Sequence, residues 1–253
     1  MSLTYLGHSA FKFDLPGARL YIDPYIQEPM DWKRLEKGDV VLFSHGHFDH
    51  GVLMAPHIFQ SWHCQFIGPK RLIQWMTRKY RRTIPPDCLI ALDHGESVTL
   101  GTVVITAVPA HHPVSRLGKT FHTIFARSSA PGAPVNGYHF QGYYHAGDTI
   151  YTPAIAQALA GVKIHTACLP IGGKYKIATP QEALRIAEEV GARRIVPMHW
   201  QPLVEQVPFR YQPSHLVKLA SGTGSPVQVC PLAIGEVLEI SDRELLDESP
   251  VAG

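Results

Sequence analysis

Seven consecutive residues, Ser44-His45-Gly46-His47-Phe48-Asp49-His50, carry three imidazoles and a carboxylate. They follow directly on the apolar run Val40-Val41-Leu42-Phe43. In an extended segment, side chains two apart point the same way. His45, His47 and Asp49 can therefore converge on one side, with His50 following from the next turn. Imidazole and carboxylate together suit zinc, iron or manganese. One ion takes about three or four protein ligands, so four candidates this close fit poorly round a single ion. A pair of ions sharing the segment is the better reading. The bland alternative is a solvated His-rich loop, although carboxylate and imidazoles at this spacing have few structural uses.

The missing ligands must come from elements elsewhere in the chain. Short β-rich runs at residues 3–7, 10–14 and 19–23, separated by Gly7-His8-Ser9 and Leu15-Pro16-Gly17, predict an antiparallel opening. Residues 40–43 have the continuous apolar character of a buried strand, so the histidine segment falls at a strand's C-terminal end. Residues 69–80 place Leu72, Ile73, Trp75, Met76 and Tyr80 at helical spacing, a core-facing stripe. Strands are expected at 89–92, 97–100 and 102–108, the last leading into Pro109-Ala110-His111-His112-Pro113. Residues 121–127 and 137–144 read as a hairpin pair, and the second runs into His145-Ala146-Gly147-Asp148-Thr149.

Helix and strand then alternate. Thr152-Pro153 opens a helix ending near Gly161. A strand at 166–169 leads to Pro170-Ile171-Gly172-Gly173, and Thr179-Pro180-Gln181-Glu182 is a capping box for a helix reaching Gly191. A strand at 194–197 delivers Met198-His199-Trp200; a helix at 215–220 and strands at 227–230 and 237–240 follow. The fold class is α/β, with helices outside two sheets. One domain is expected over 1–240, with a frayed polar tail over 241–253. The histidine segment, His112, Asp148 and His199 each follow a strand, and that repetition favours a metal site. His111 and His112 would face opposite ways on a strand, so at most one of them is expected there.

Composition narrows the function classes. At 253 residues and 45% hydrophobic, the chain can bury a sizeable core. Its 23 Lys+Arg against 21 Asp+Glu leave a charge of +2, which makes no electrostatic case for nucleic acid or a membrane surface. No apolar run approaches the roughly 20 residues that span a bilayer. Cys64, Cys88, Cys168 and Cys230 form no CxxC pair, and Met1 leads straight into strand-like sequence without a signal peptide. Reduced, packed thiols in a cytoplasmic protein are expected. Apolar faces beyond a single core allow a homo-oligomer.

Taken together, these residues resemble the metallo-β-lactamase fold superfamily. Its HxHxDH signature stands as His45-Gly46-His47-Phe48-Asp49-His50, and its later ligand positions match His112, Asp148 and His199. Within it, Gly7-His8-Ser9-Ala10, Ile22-Asp23-Pro24, Tyr144 to Thr149 and Leu169-Pro170-Ile171-Gly172 are similar to the branch of L-ascorbate-6-phosphate lactonase-like proteins and N-acylphosphatidylethanolamine phospholipase D. The resemblance implies a four-layer αββα sandwich with two divalent transition metals, zinc first and manganese or iron as alternatives. It implies His45, His47 and His112 on one ion, Asp49, His50 and His199 on the other, and Asp148 bridging. The Pro-Ala-x-His pattern selects His112 over His111. The implied reaction is hydrolysis of an ester, lactone or phosphodiester of a small molecule by a metal-bridging hydroxide, with Asp49 or Asp148 orienting it and moving its proton.

Around these positions, Asp23 is suited to hold the free N–H of a metal-bound histidine, and as Asp-Pro it is equally a turn former. His8 has a backbone or packing role as its alternative. Arg116, Lys174 and Tyr175 are placed to meet a phosphorylated or anionic substrate, against the plain reading of solvated loop charges. Trp200 either walls the pocket or joins the core. His57, His63, His94, His122, His139, His145, His165 and His215 read as structural or surface histidines. Gly51 departs from the pattern, since such proteins often begin a helix there with a larger apolar residue. The nearest rival is a nuclease of the same fold; a catalytically silent metal-binding or regulatory module is the other alternative.

Overall fold

The computed structural model describes residues 1–26, 35–113, 130–201 and 209–241. Two seven-stranded mixed sheets face each other. The first contains β1 (Ser2–Gly7), β2 (Ala10–Leu15), β3 (Ala18–Ile22), β4 (Val40–Leu42), β5 (Gln65–Pro69), β6 (Leu89–Leu92) and the late β14 (Val237–Glu239). Its order is β14-β1-β2-β3-β4-β5-β6, antiparallel as far as β3 and parallel from β3 to β6. The second contains β7 (Ser97–Leu100), β8 (Val103–Ala110), β9 (Val135–Phe140), β10 (Tyr143–His145), β11 (Thr166–Pro170), β12 (Arg194–Met198) and β13 (Gln228–Val229). It too is antiparallel in one half, β7 to β10, and parallel in the other.

Alternation explains how each strand serves two layers. On β3 and β4, Leu20, Ile22, Val40 and Leu42 enter the core between the sheets. The intervening Tyr21 and Val41 pack outward with Phe43 and Phe66 against Ile58, Trp62, Ile73 and Met76. Those last residues belong to α1 (Ala55–Trp62) and α2 (Lys70–Lys79). A strand covered on both faces reads as one apolar run, which is the character of residues 40–43. Outside the second sheet lie α3 (Pro153–Ala158), α4 (Pro180–Glu189) and α5 (Pro213–Thr223). Ala183, Leu184, Ile186, Ala187 and Leu216 of α4 and α5 join the main core. The result is the expected four-layer αββα sandwich.

Several elements differ from expectation for identifiable reasons. Residues 137–144 are two strands, because Gln141 (φ 45°) and Gly142 (φ 77°) turn the chain back on itself. Consecutive left-handed residues make the tight turn that matches strand twist. The expected strand at 121–127 lies outside the described residues, as do Arg116, His122 and most of the tail after Ile240. α5 is longer than residues 215–220: Pro213 sits in its first turn, and Gly224 at φ 68° ends it. Neither α1 nor β5 was anticipated; α1 is brief, and β5 holds Gly68 and ends at Pro69.

Candidate metal centre

The histidine segment leaves β4 and makes a single 3₁₀ turn over Phe48–His50, ended by Gly51 at φ 77°. A methyl on Gly51 would lie 2.6 Å from the carbonyl of Pro24. Glycine is therefore required both for the left-handed turn and for the close approach of the Asp23-Pro24 corner. The departure at Gly51 thus has a local cause: this turn and a second 3₁₀ turn over Val52–Met54 precede α1.

That approach places Asp23, fully buried at φ 46°, against the segment. Asp23 Oδ1 accepts the Ser44 N–H at 2.7 Å. Its Oδ2 accepts the Ser44 hydroxyl at 2.6 Å and lies 2.7 Å from His50 Nδ1. With the Ser44 proton committed to Asp23, Ser44 Oγ is left to accept from His45 Nδ1 at 3.0 Å. Two residues past β8 stands His112, whose Nδ1 lies 3.1 Å from the Lys176 carbonyl and so donates to it. In all three rings the Nδ1 proton is fixed from outside, which leaves the Nε2 lone pair aimed inward.

The remaining residues arrive from the loops after β10 and β12. Asp148 Oδ2 stands 3.9 Å from His45 Nε2 and 3.8 Å from His112 Nε2. It is also 3.5 Å from His50 Nε2 and 3.3 Å from His199 Nε2. Two groups of four emerge, each with ligand atoms within 4.8 Å of one another: His45, His47, His112 and Asp148, and His8, Asp49, His50 and His199. The structure therefore brings together all seven sequence-derived ligand candidates and adds His8 to them. His111 is exposed and belongs to neither group.

The donor set tests well for cations. His45 Nε2, His50 Nε2, both ring nitrogens of His8 and His199, and the Oδ1 atoms of Asp49 and Asp148 are buried without a hydrogen-bond partner among the described residues. Unpartnered buried polar atoms are costly, and converging ones are what a metal cluster would satisfy. Charge balance points the same way. Burial would raise Asp148 and Asp49, but His199 and His50 outweigh it at Asp148, and His8 and His50 do so at Asp49; both stay well below the usual carboxylate range. Burial lowers His45, reinforced by His50 and His47. Burial also pulls His50 down, but Asp23 and Asp148 hold it well above its ordinary value. His8 is lowered to about 4 by burial and by His199, against the pull of Asp49.

Other sequence-derived candidates fare differently. Trp200 is half-buried, packs against the main core and donates its indole N–H to the Pro197 carbonyl. Tyr175 is 62% exposed and stacks edge-on against Phe209, which itself packs on His199. Lys174 lies in the same loop, whose defined contribution is the backbone carbonyl of Lys176. His145 behaves as structural: its Nε2 meets the Ser9 carbonyl and its Nδ1 accepts from the Gly147 N–H. Phe209, Tyr25 and Gly132 were missed. Tyr25 stacks edge-on with Phe48, and a methyl on Gly132 would lie 2.4 Å from His47 Nε2. No local pattern marks any of the three. The four cysteines are all free, and no helix among the described residues is long and apolar enough to cross a membrane.

Two facing mixed sheets with paired His/Asp clusters at their strand ends define the metallohydrolase class of αββα sandwich. The family model described as "Beta-lactamase superfamily domain" matches residues 2–199. A UPF0173 metal-dependent hydrolase from Opitutus terrae is 31% identical over 248 residues, covering 95% of this chain and 100% of its own. Another from Rubrobacter xylanophilus is 30% identical, covering 78% of this chain and 81% of its own. The chain belongs to the β-lactamase superfamily and, within it, to these UPF0173 metal-dependent hydrolases. Among solved structures, Igni18, a metallo hydrolase from Ignicoccus hospitalis, superposes with a TM-score of 0.73 at 24% identity. That match covers 95% of this chain and 99% of the other.

Proposed function

We propose that the protein is a binuclear metal-dependent hydrolase of a small-molecule ester, lactone or phosphodiester. The observation that carries this reading is Asp148, whose Oδ2 lies within 4 Å of imidazole nitrogens from both four-residue groups. His45, His47 and His112 would hold one ion, Asp49, His50 and His199 the other, and Asp148 would touch both. Divalent ions there, zinc first with manganese or iron as alternatives, would supply hydroxide near neutral pH and polarise the scissile oxygen.

The chain's own residues set the rest. Asp49 and Asp148 are held below the usual carboxylate range, and nearby cations would depress them further. Such carboxylates are weak bases, so their role is to orient water by accepting its hydrogen bond rather than to keep its proton. Asp23, Ser44 and the Lys176 carbonyl fix the rings that would hold the metals. The pairs Tyr175–Phe209 and Tyr25–Phe48 would give apolar surface for the non-reacting part of a substrate.

The test is elemental analysis of purified protein coupled to a panel of phosphodiesters, lactones and thioesters. Two ions per chain and activity on one class, lost in His199→Ala, are expected. Metal-free protein whose metal content and activity are unmoved by His47→Ala would end this reading.

A further inference from the structure

We propose that His8 is an eighth metal-binding residue, giving the group of Asp49, His50 and His199 a fourth protein donor; this rests on the binuclear reading above. His8 is fully buried, and neither ring nitrogen has a hydrogen-bond partner among the described residues. His145, equally buried, shows what a structural histidine looks like here, with both nitrogens engaged.

The backbone of His8 is fastened on every side while its ring is left open. Its N–H donates to Gln201 Oε1 at 3.0 Å, and its carbonyl accepts from His199 N–H at 2.8 Å and from the Tyr5 hydroxyl at 3.1 Å. Residue 8 is also held at φ 51°, as His199 is at 53°. Left-handed conformations of non-glycine residues persist where surrounding structure enforces them, and they cluster at functional sites.

Distance separates a metal ligand from a hydrogen-bonding partner. His8 Nε2 lies 3.4 Å from Asp49 Oδ2. A charge-assisted N–H···O bond would be about 2.7–2.9 Å. Two donors each about 2.0–2.1 Å from one tetrahedral ion stand roughly 3.3–3.4 Å apart. The observed spacing is that of two ligands sharing an ion. One ligand atom of His8 lies within 4.8 Å of ligand atoms on Asp49, His50 and His199, so its ring shares their point of convergence. With His8 each ion has four residues within reach, and Asp148 becomes an addition to the second group rather than its completion.

Three variants decide the matter, read by bound Zn2+ per chain, by Zn2+ affinity, and by the visible absorption of the Co2+-loaded protein. Asparagine tolerates a left-handed backbone, so His8→Asn removes the donor without forcing the loop. His8→Phe keeps a packed ring, and His8→Asp restores a potential ligand. Wild type should hold two ions. The Asn and Phe variants should bind the second at least tenfold more weakly with an altered Co2+ spectrum, and the Asp variant should recover most of the loss. Should Asn fail to fold, the Phe and Asp variants make the same comparison. Wild-type affinity in all three, or recovery by Phe but not Asp, would overturn the role of His8 and leave two ions standing. Fewer than two ions in wild type would overturn the binuclear reading and this inference with it.

Discussion

Asp23 is where one residue governs several others. A single buried carboxylate takes hydrogen bonds from the Ser44 backbone and hydroxyl and faces His50 Nδ1. In the metal-free protein His50 is held above its ordinary value chiefly by Asp23 and then Asp148, against burial. Its charge contributes stability that is complete below the unfolded value near 6.5 and is lost as pH rises through the higher folded value. Metal must displace that proton, so Zn2+ binding at pH 7 should release protons, and affinity should rise with pH. Asp23→Asn should weaken Zn2+ binding about 10–100-fold and reduce the protons released, measured by calorimetry in two buffers of different ionisation enthalpy. Equal proton release in both proteins would remove Asp23 from this role. The sequence made His45, His47, Asp49 and His50 legible because their spacing is local. Ser44 as the relay between Asp23 and His45 was not legible, since it depends on the distant Asp23-Pro24 corner.

Among the elements, the strand ends were readable and the loops crossing them were not. Apolar runs and turn residues placed β4, β8, β11 and β12, and so placed the segments that follow them. Nothing in Ala130-Pro131-Gly132 announces that it lies over the histidine segment, where the Gly46 N–H donates to Pro131 at 2.9 Å. Gly132→Ala would bring a methyl to 2.4 Å from His47 Nε2. Either the ring or the loop must move, so Zn2+ affinity of the His45/His47/His112 group should fall about tenfold or more, by equilibrium dialysis, with the fold retained. Thr179→Ala makes the opposite case. It removes the α4 capping box, in which Thr179 Oγ1 accepts from Glu182 N–H and Glu182 accepts from Thr179 N–H. The cost is about 1 kcal/mol, a fall in Tm of roughly 2–4 °C. Metal content should stay at the wild-type value; a change would mean that α4 positions His199 through β12.

Across the whole molecule, the centre draws on residues far apart in the chain: His8, Asp23, the segment His45 to His50, His112, Asp148 and His199. Cations held by all of them would bind the folded chain far better than the unfolded one. Chelation should therefore lower Tm, and added Zn2+ should raise it with the logarithm of its free concentration. A Tm indifferent to chelator would mean that the clusters hold no ion of consequence to stability. The same arrangement explains the concentration of backbone strain. Five of the seven described non-glycine residues at positive φ are His8, Asp23, Tyr175, Lys176 and His199. Each either supplies a group to the centre or adjoins one.

Tyr175 and Lys176 show what that implies for a protease. Two successive left-handed residues, each costing about 1–3 kcal/mol, are retained in a loop whose Lys176 carbonyl is tethered to His112. An ion on His112 would sharpen that tether, and its loss would let the loop spring open at an exposed lysine. Trypsin should therefore nick the chain after Lys174 or Lys176 faster once metal is stripped, and mass spectrometry of the first fragments would locate the cut. The loop would then serve as a built-in gauge of occupancy, with its digestion rate reporting how full the neighbouring site is.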